Sequence, residues 1–188
     1  MISPDNDTLS RIPAVARHCE DEAMRNIPDP GFAGDLGEAE LWVTTALAAY
    51  AADPGRLHNQ TLAAIQRSRL LVPVVAVLGE VEPDEQGLAH DKTSDMAAVL
   101  MRGQDGRLAL LAFTGNPSLR AWNADARPVP VPVAQAAKAA LQDDAAAMVV
   151  DVAGPVQFVV EGDDLRSLAG GHRLVEIDGR YAWVTTQG

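Results

Sequence analysis

The chain has one cysteine, Cys19, so an intramolecular disulfide framework is excluded. It has no HEXXH pattern, no paired CxxC motifs, no Gly-x-Ser-x-Gly elbow and no P-loop or dinucleotide glycine fingerprint. Gly103 to Gly106 lacks the Lys-Ser/Thr that a phosphate cradle requires. No uninterrupted apolar run approaches the roughly 20 residues needed to span a bilayer, and no basic segment followed by an apolar run opens the sequence. A cytoplasmic location without membrane contact is the expectation. Basic residues are outnumbered, 15 Lys and Arg against 26 Asp and Glu, giving a formal net charge of −11. Such a surface repels phosphate backbones, so nucleic acid is not an expected partner. Aromatics make up only 4% of the chain, which leaves a core of Val, Leu, Ile and Ala with Trp42, Trp122 and Trp183 as its few large pieces.

With 188 residues, 47% of them hydrophobic, the chain can bury one substantial core. Residues 1–37 are rich in Pro, Gly, Asp and Asn without a sustained period and read as a largely irregular N-terminal arm; residues 38–188 read as a single domain. The arm's one candidate helix, Ala14 to Arg25, carries His18, Cys19, Glu20, Asp21 and Glu22. Adjacent His and Cys on a helix do not face one ion, and the acidic neighbours oppose a thiolate, so neither metal binding nor thiol chemistry is expected there.

A broad apolar face predicts a helix over Glu38 to Ala52, stopped by Asp53-Pro54-Gly55, and a second helix follows from Arg56 to Ser68. Leu70 to Leu78 is continuously apolar and β-branched, as a strand buried on both faces would be; Pro73 removes one donor and places it near a strand start or at an edge. Gly79 to Thr93 reads as a solvated loop. Met96 to Arg102 and Arg107 to Phe113, joined by Gly103-Gln104-Asp105-Gly106, read as a β-hairpin. Asn116 and Pro117 fit an N-cap and first helical position for a short helix through Trp122. Val and Pro alternate over Arg127 to Val133, as in an edge strand. A helix over Ala134 to Gln142, strands at Ala146 to Val150 and Val156 to Val160, a helix begun by Asp163 or Asp164 and closed by Gly170-Gly171, and a hairpin turning at Asp178-Gly179 complete the chain. The fold class is mixed α/β, with hairpins that argue against a purely parallel doubly wound sheet.

Leu71-Val72-Pro73-Val74, Lys92-Thr93-Ser94-Asp95-Met96, Asp105-Gly106-Arg107, Ala112-Phe113-Thr114, Leu119-Arg120-Ala121-Trp122 and Ala126-Arg127-Pro128-Val129 occur in that order. This ordered set resembles the SseB N-terminal domain family, named for enhanced serine sensitivity and common in actinobacteria. The resemblance implies an α/β domain over roughly Glu40 to Pro155. It implies no reaction, cofactor or catalytic residue.

Three groups stand out as candidate ligand- or partner-binding residues. Lys92, Ser94 and Asp95 offer a cation, a hydroxyl and a carboxylate just before a strand. Phe113, Thr114 and Asn116 lie at a strand-to-helix corner, and Trp122 is a potential anchor, as is Trp42. The same polar residues equally suit turns and caps. A hydrolase would need a base for Ser94 or Thr114; His90 is nearest in sequence, with no orienting partner. The expected function is a non-catalytic binding domain with no cofactor and no metal, engaging an unidentified protein or a second copy of itself. The alternative is a sensor or enzyme for a small polar, amino-acid-like ligand, using the Lys92 to Asp95 and Thr114 to Asn116 groups. The Val129 to Val133 segment offers edge pairing with another chain, or prolines placed to prevent it.

Overall fold

A computed structural model describes residues 32, 34–77 and 95–185. The residues around His18 and Cys19, and His90, Lys92 and Ser94, lie outside the described set. Two helices come first, α1 (Leu41–Ala52) and α2 (Pro54–Ile65). Asp53 separates them and caps α2, its carboxylate accepting the Arg56 N–H at 3.2 Å with Pro54 in the first turn.

Strand β1 (Arg69–Val77) is the centre of a three-stranded antiparallel sheet between β2 (Asp95–Ala98) and β5 (Arg127–Pro132). Pro73 therefore sits inside a central strand, not at its start or at an edge. Its missing N–H falls where β1 changes neighbours. On that side Leu71 exchanges hydrogen bonds with Phe113, while two residues beyond Pro73, Val75 stands opposite Ala97; at Pro73 only a carbonyl is needed, and it accepts the Val99 N–H at 3.0 Å.

Val99 is also where the expected single strand 96–102 divides. Its first part, β2, pairs with β1; its second part, β3 (Leu100–Arg102), pairs with β4 (Leu108–Ala112). The Val99 carbonyl accepts from Leu111 N–H at 3.2 Å, so one residue bonds to both sheets. The second sheet runs β3-β4-β6-β7, with β6 (Ala147–Val150) parallel to β4 and β7 (Phe158–Glu161) antiparallel to β6. The parallel pair is joined by a crossover through α3 (Asn116–Trp122), β5 and α4 (Val133–Gln142).

Period-two alternation sorts the second sheet into two faces. Leu110, Ala112, Met148, Val150, Phe158 and Val160 join the main core with Val43, Leu47, Leu62 and Ile65 of the first two helices. Ala136, Ala137 and Ala140 of α4 and Leu165 and Leu168 of α5 (Gly162–Ala169) complete it. Ala109, Leu111, Phe113, Ala147 and Val149 form a smaller cluster on the other face with Leu119 of α3. The largest fully buried side chains are Phe113 and Phe158; Trp42 is 48% exposed, and Trp122 and Trp183 are half-buried. The core thus rests on phenylalanines, not on the expected tryptophans.

Strand β5 settles its own edge by register. Because Leu71, opposite Pro130, turns its N–H and C=O toward Phe113, the residues paired with Leu70 and Val72, namely Val131 and Val129, carry the bonds to β1. Pro128, Pro130 and Pro132 then occupy every outward position, and that edge offers no N–H donor. Edge addition along β5 is blocked by its prolines.

The hairpin β8 (His172–Ile177) and β9 (Arg180–Thr185) forms a separate two-stranded sheet, turned by Asp178 and Gly179 at φ 49° and 73°. Its attachment to α2 is a side-chain imitation of strand pairing. The Leu174 N–H donates to Gln66 Oε1 at 2.8 Å and Gln66 Nε2 donates to the Leu174 carbonyl at 2.6 Å. Nearby, Asp164 accepts from the Trp183 indole at 3.2 Å and contacts His58 Nε2 at 3.0 Å, with the His58 ring stacked on Phe158.

Candidate functional site

Strands β4 and β6 end side by side, the Asp151 N–H donating to the Ala112 carbonyl at 2.9 Å. Ligand sites of α/β sheets lie beyond such carboxyl ends, and the corner singled out by sequence is there. Just past β4, Thr114 donates to Asp151 twice, from its N–H to Oδ1 at 2.9 Å and from its hydroxyl to Oδ2 at 2.6 Å. Ser118 of α3 adds a third bond, to Oδ1 at 2.5 Å. Asp151, 3% exposed, holds this position in the left-handed region at φ 55°, and the Gly154 N–H closes the turn onto its carbonyl. A Cβ on Gly154 would come within 2.9 Å of the Asp151 Cβ, so the close approach requires glycine.

Arg69 supports the same corner from below. Buried to 6% exposure, it pairs with Asp35 and donates to the carbonyls of Thr114 at 2.5 Å and Glu38 at 2.6 Å. The hydrogen bond from Arg69 holds the Asp35 carboxyl below its ordinary pKa, against the opposing effect of burial. The last residues of the arm are thereby fastened across the start of α3. The Asn116 N–H donates to the Gly37 carbonyl at 2.6 Å and its side-chain amide to the Leu36 carbonyl at 2.9 Å. Gly115 is the N-cap, in extended backbone, and Asn116 is the first helical residue, one position on from the expected cap.

The corner's polar groups are consequently spent on one another. Beside them lies a cavity of about 290 Å³ walled by Ala39, Thr44, Leu47, Ala48, Pro155 and Val156, with apolar walls and Asp151, Thr114 and Ser118 at its floor. Among the described residues the Thr114 hydroxyl donates to Asp151, and the Ser118 hydroxyl to Asp151 and the Gly115 carbonyl, with no histidine bonded to either.

Among the described residues, Phe113, Thr114 and Trp122, expected on one surface, lie on two faces of the sheet. Phe113 is fully buried and its ring lies 5.6 Å from that of Trp122, so it is unavailable to a partner. Phe113 and Trp122 belong to the smaller cluster on one face of the sheet, whereas Thr114, the next residue, turns to the cavity on the other. Asp95 opens β2 opposite Val77. Among the described residues no group of three His, Cys, Asp or Glu is placed to hold a metal ion, and no helix is long and apolar enough to cross a membrane.

The helix with the most exposed apolar side chains is α1, whose Trp42 the sequence offers both as core and as a potential anchor. Its twelve residues, LWVTTALAAYAA, contain no charge, yet only Val43 and Leu47 are buried. Leu41 is 78% and Trp42 48% exposed, and Leu36 just before the helix is 80% exposed. A helix apolar all round is normally covered on all sides. Two hollows meet at Leu41 and Trp42, one along Thr45, Ala49, Gln60 and Ala64, the other past Glu38, Glu40 and Arg67. The signal in the sequence was the absence of any charged residue on the helix, which separates an amphipathic surface helix from one with two apolar faces.

No curated protein and no solved structure matches the chain. The model of the SseB protein N-terminal domain matches residues 29–167, from the arm that clamps Arg69 to the last turn of α5, leaving the β8–β9 hairpin beyond its end. That span covers most of the sequence and contains β1, the Thr114–Asp151 corner and α1, so the chain belongs to the SseB N-terminal domain family.

Proposed function

We propose that this domain is a non-catalytic protein-interaction module whose recognition surface is the outer face of α1, centred on Leu41 and Trp42. The observation that carries the reading is a charge-free helix exposing large apolar side chains on a protein of net charge −11. Contiguous exposed apolar surface of this kind marks interaction sites, and Trp is enriched among binding hot spots. Glu38 and Glu40, exposed beside the helix start and in no ion pair with the described residues, favour a partner that brings apolar side chains with basic residues at one edge. A site for a small polar ligand at the 114–116 corner has less support, because Asp151, Thr114, Ser118 and Asn116 already satisfy one another or the arm.

Photo-crosslinking from benzoylphenylalanine at position 42, in cells that produce the protein natively, tests this. A discrete adduct is expected from position 42, abolished by Leu41→Glu in the same chain. An adduct that forms from position 122 and not from 42 would move the interface to the other face of the sheet and overturn the proposal.

A further inference from the structure

A second feature of the surface has the opposite character to α1. A hollow of about 390 Å³ is lined by Gln66, Arg67, Ala134, Leu168, Gly171, His172 and Arg173. It contains two arginines and a histidine and no carboxylate, in a chain where acidic residues outnumber basic ones 26 to 15. Four other arginines pair with acids: Arg56 with Asp53, Arg69 with Asp35, Arg107 with Asp105 and Glu161, and Arg166 with Asp163. The side chains of Arg67, His172 and Arg173 take part in no hydrogen bond or ion pair with the described residues.

Two further facts make this convergence more than a chance of surface charge. The hollow is held in shape, because Gln66 carries Arg67 as its chain neighbour and is locked by both its amide groups to Leu174, next to Arg173. The cations also face Ala134 in the first turn of α4, whose N-cap residue Pro132 supplies no capping side chain. Cations beside a helix N-terminus are placed against its partial positive charge, an arrangement that an anion would reverse from unfavourable to favourable.

We infer that this hollow binds a small polyanion, its clustered negative oxygens taken by Arg67, His172 and Arg173. Guanidinium groups suit either carboxylate or phosphate oxygens. The site is built jointly by the family domain, through Arg67, and by the hairpin beyond residue 167, through His172 and Arg173. Gln66 and Arg67 also line the hollow that runs past Glu38 and Glu40 to Leu41 and Trp42, so the two surfaces adjoin.

The test is a titration of the full chain with citrate, with inorganic phosphate and with chloride as control, followed by the His172 ring resonances and the backbone amides of residues 171–173. Saturable shifts are expected with a polyanion at millimolar concentration and not with chloride. A response to citrate alone identifies the ligand as a polycarboxylate, and a response to phosphate alone identifies it as a phosphate compound. Arg67→Gln and Arg173→Gln, both at exposed positions, should each weaken binding about tenfold. Absence of saturable shifts with both polyanions, or shifts unchanged in the double variant, would overturn the inference. Neither result bears on crosslinking from position 42.

Discussion

Asp151 is predicted to be the most sensitive polar position in the domain, and three replacements separate the reasons. Asp151→Ala removes the acceptor for the Thr114 N–H and for the Thr114 hydroxyl, both inside the protein. Each buried donor left without a partner costs about 1–3 kcal/mol, so the pair costs about 4 kcal/mol. The Ser118 hydroxyl escapes this cost, since the Gly115 carbonyl at 3.0 Å can accept it instead. The backbone adds a second contribution, because φ at Asp151 is 55° and alanine in the left-handed region costs about 1–2 kcal/mol. Asp151→Gly removes that strain and keeps the hydrogen-bond loss, and should be milder than alanine by about 1 kcal/mol. Asp151→Asn tolerates the backbone, keeps an oxygen for the Thr114 N–H and lets the Thr114 hydroxyl become an acceptor, so the loss falls to about 1–2 kcal/mol. Domains of this size are stable by about 5–15 kcal/mol, so the alanine variant should lose a large share of its stability. Urea unfolding followed by circular dichroism and tryptophan fluorescence gives all three values. An alanine variant within about 1 kcal/mol of the parent, or an asparagine variant as damaged as alanine, would refute the account of this corner.

The Asp35–Arg69 pair predicts an acid-side loss of stability. Because the folded pKa of Asp35 lies below its unfolded value, the unfolded chain binds more protons between the two; the contribution is complete above the unfolded pKa and disappears as pH falls through the folded one. Asp35→Asn should flatten that part of the stability–pH profile measured by thermal unfolding, and an unchanged profile would show that the clamp does not respond to pH. Replacing Pro128 and Pro130 together with threonine restores two outward N–H donors to β5 and should produce concentration-dependent association in sedimentation velocity, with the parent chain unaffected by concentration through this edge. A doubly substituted chain that behaves like the parent would mean another feature protects the edge.

Most secondary-structure elements were legible because their signals are local: the Asp53-Pro54 stop, the Gly170-Gly171 closure, the Asp178-Gly179 turn and the Val-Pro alternation each act within a few residues. The pairing of strands was not. Nothing near Pro73 in sequence shows that β1 changes neighbours there, and nothing at Val99 marks a strand that leaves one sheet for another, since both depend on where residues 113 and 111 come to lie. The candidate site divided for the same reason. Thr114, Asn116 and Trp122 are close in the chain, but alternation along β4 sends Phe113 and Thr114 to opposite faces, and Asp151, the residue that organises the corner, is 33 positions from Ser118. Arg69 and Asp35, 34 apart, were invisible as a pair. The exposure of Trp42 was hidden because an apolar run looks the same whether the protein covers it or leaves that task to another molecule.

The glutamine that joins α2 to Leu174 has a consequence for how the molecule comes apart. A hairpin held on α2 and α5 by the Gln66 amide, the Trp183 indole and the packing of Leu174 and Tyr181 can detach without breaking the sheet of β4 and β6, giving a step of opening smaller than global unfolding. The C-terminal strands should therefore exchange their amide hydrogens ahead of β4 and β6, dividing the molecule into a durable body and a tail piece released at lower cost.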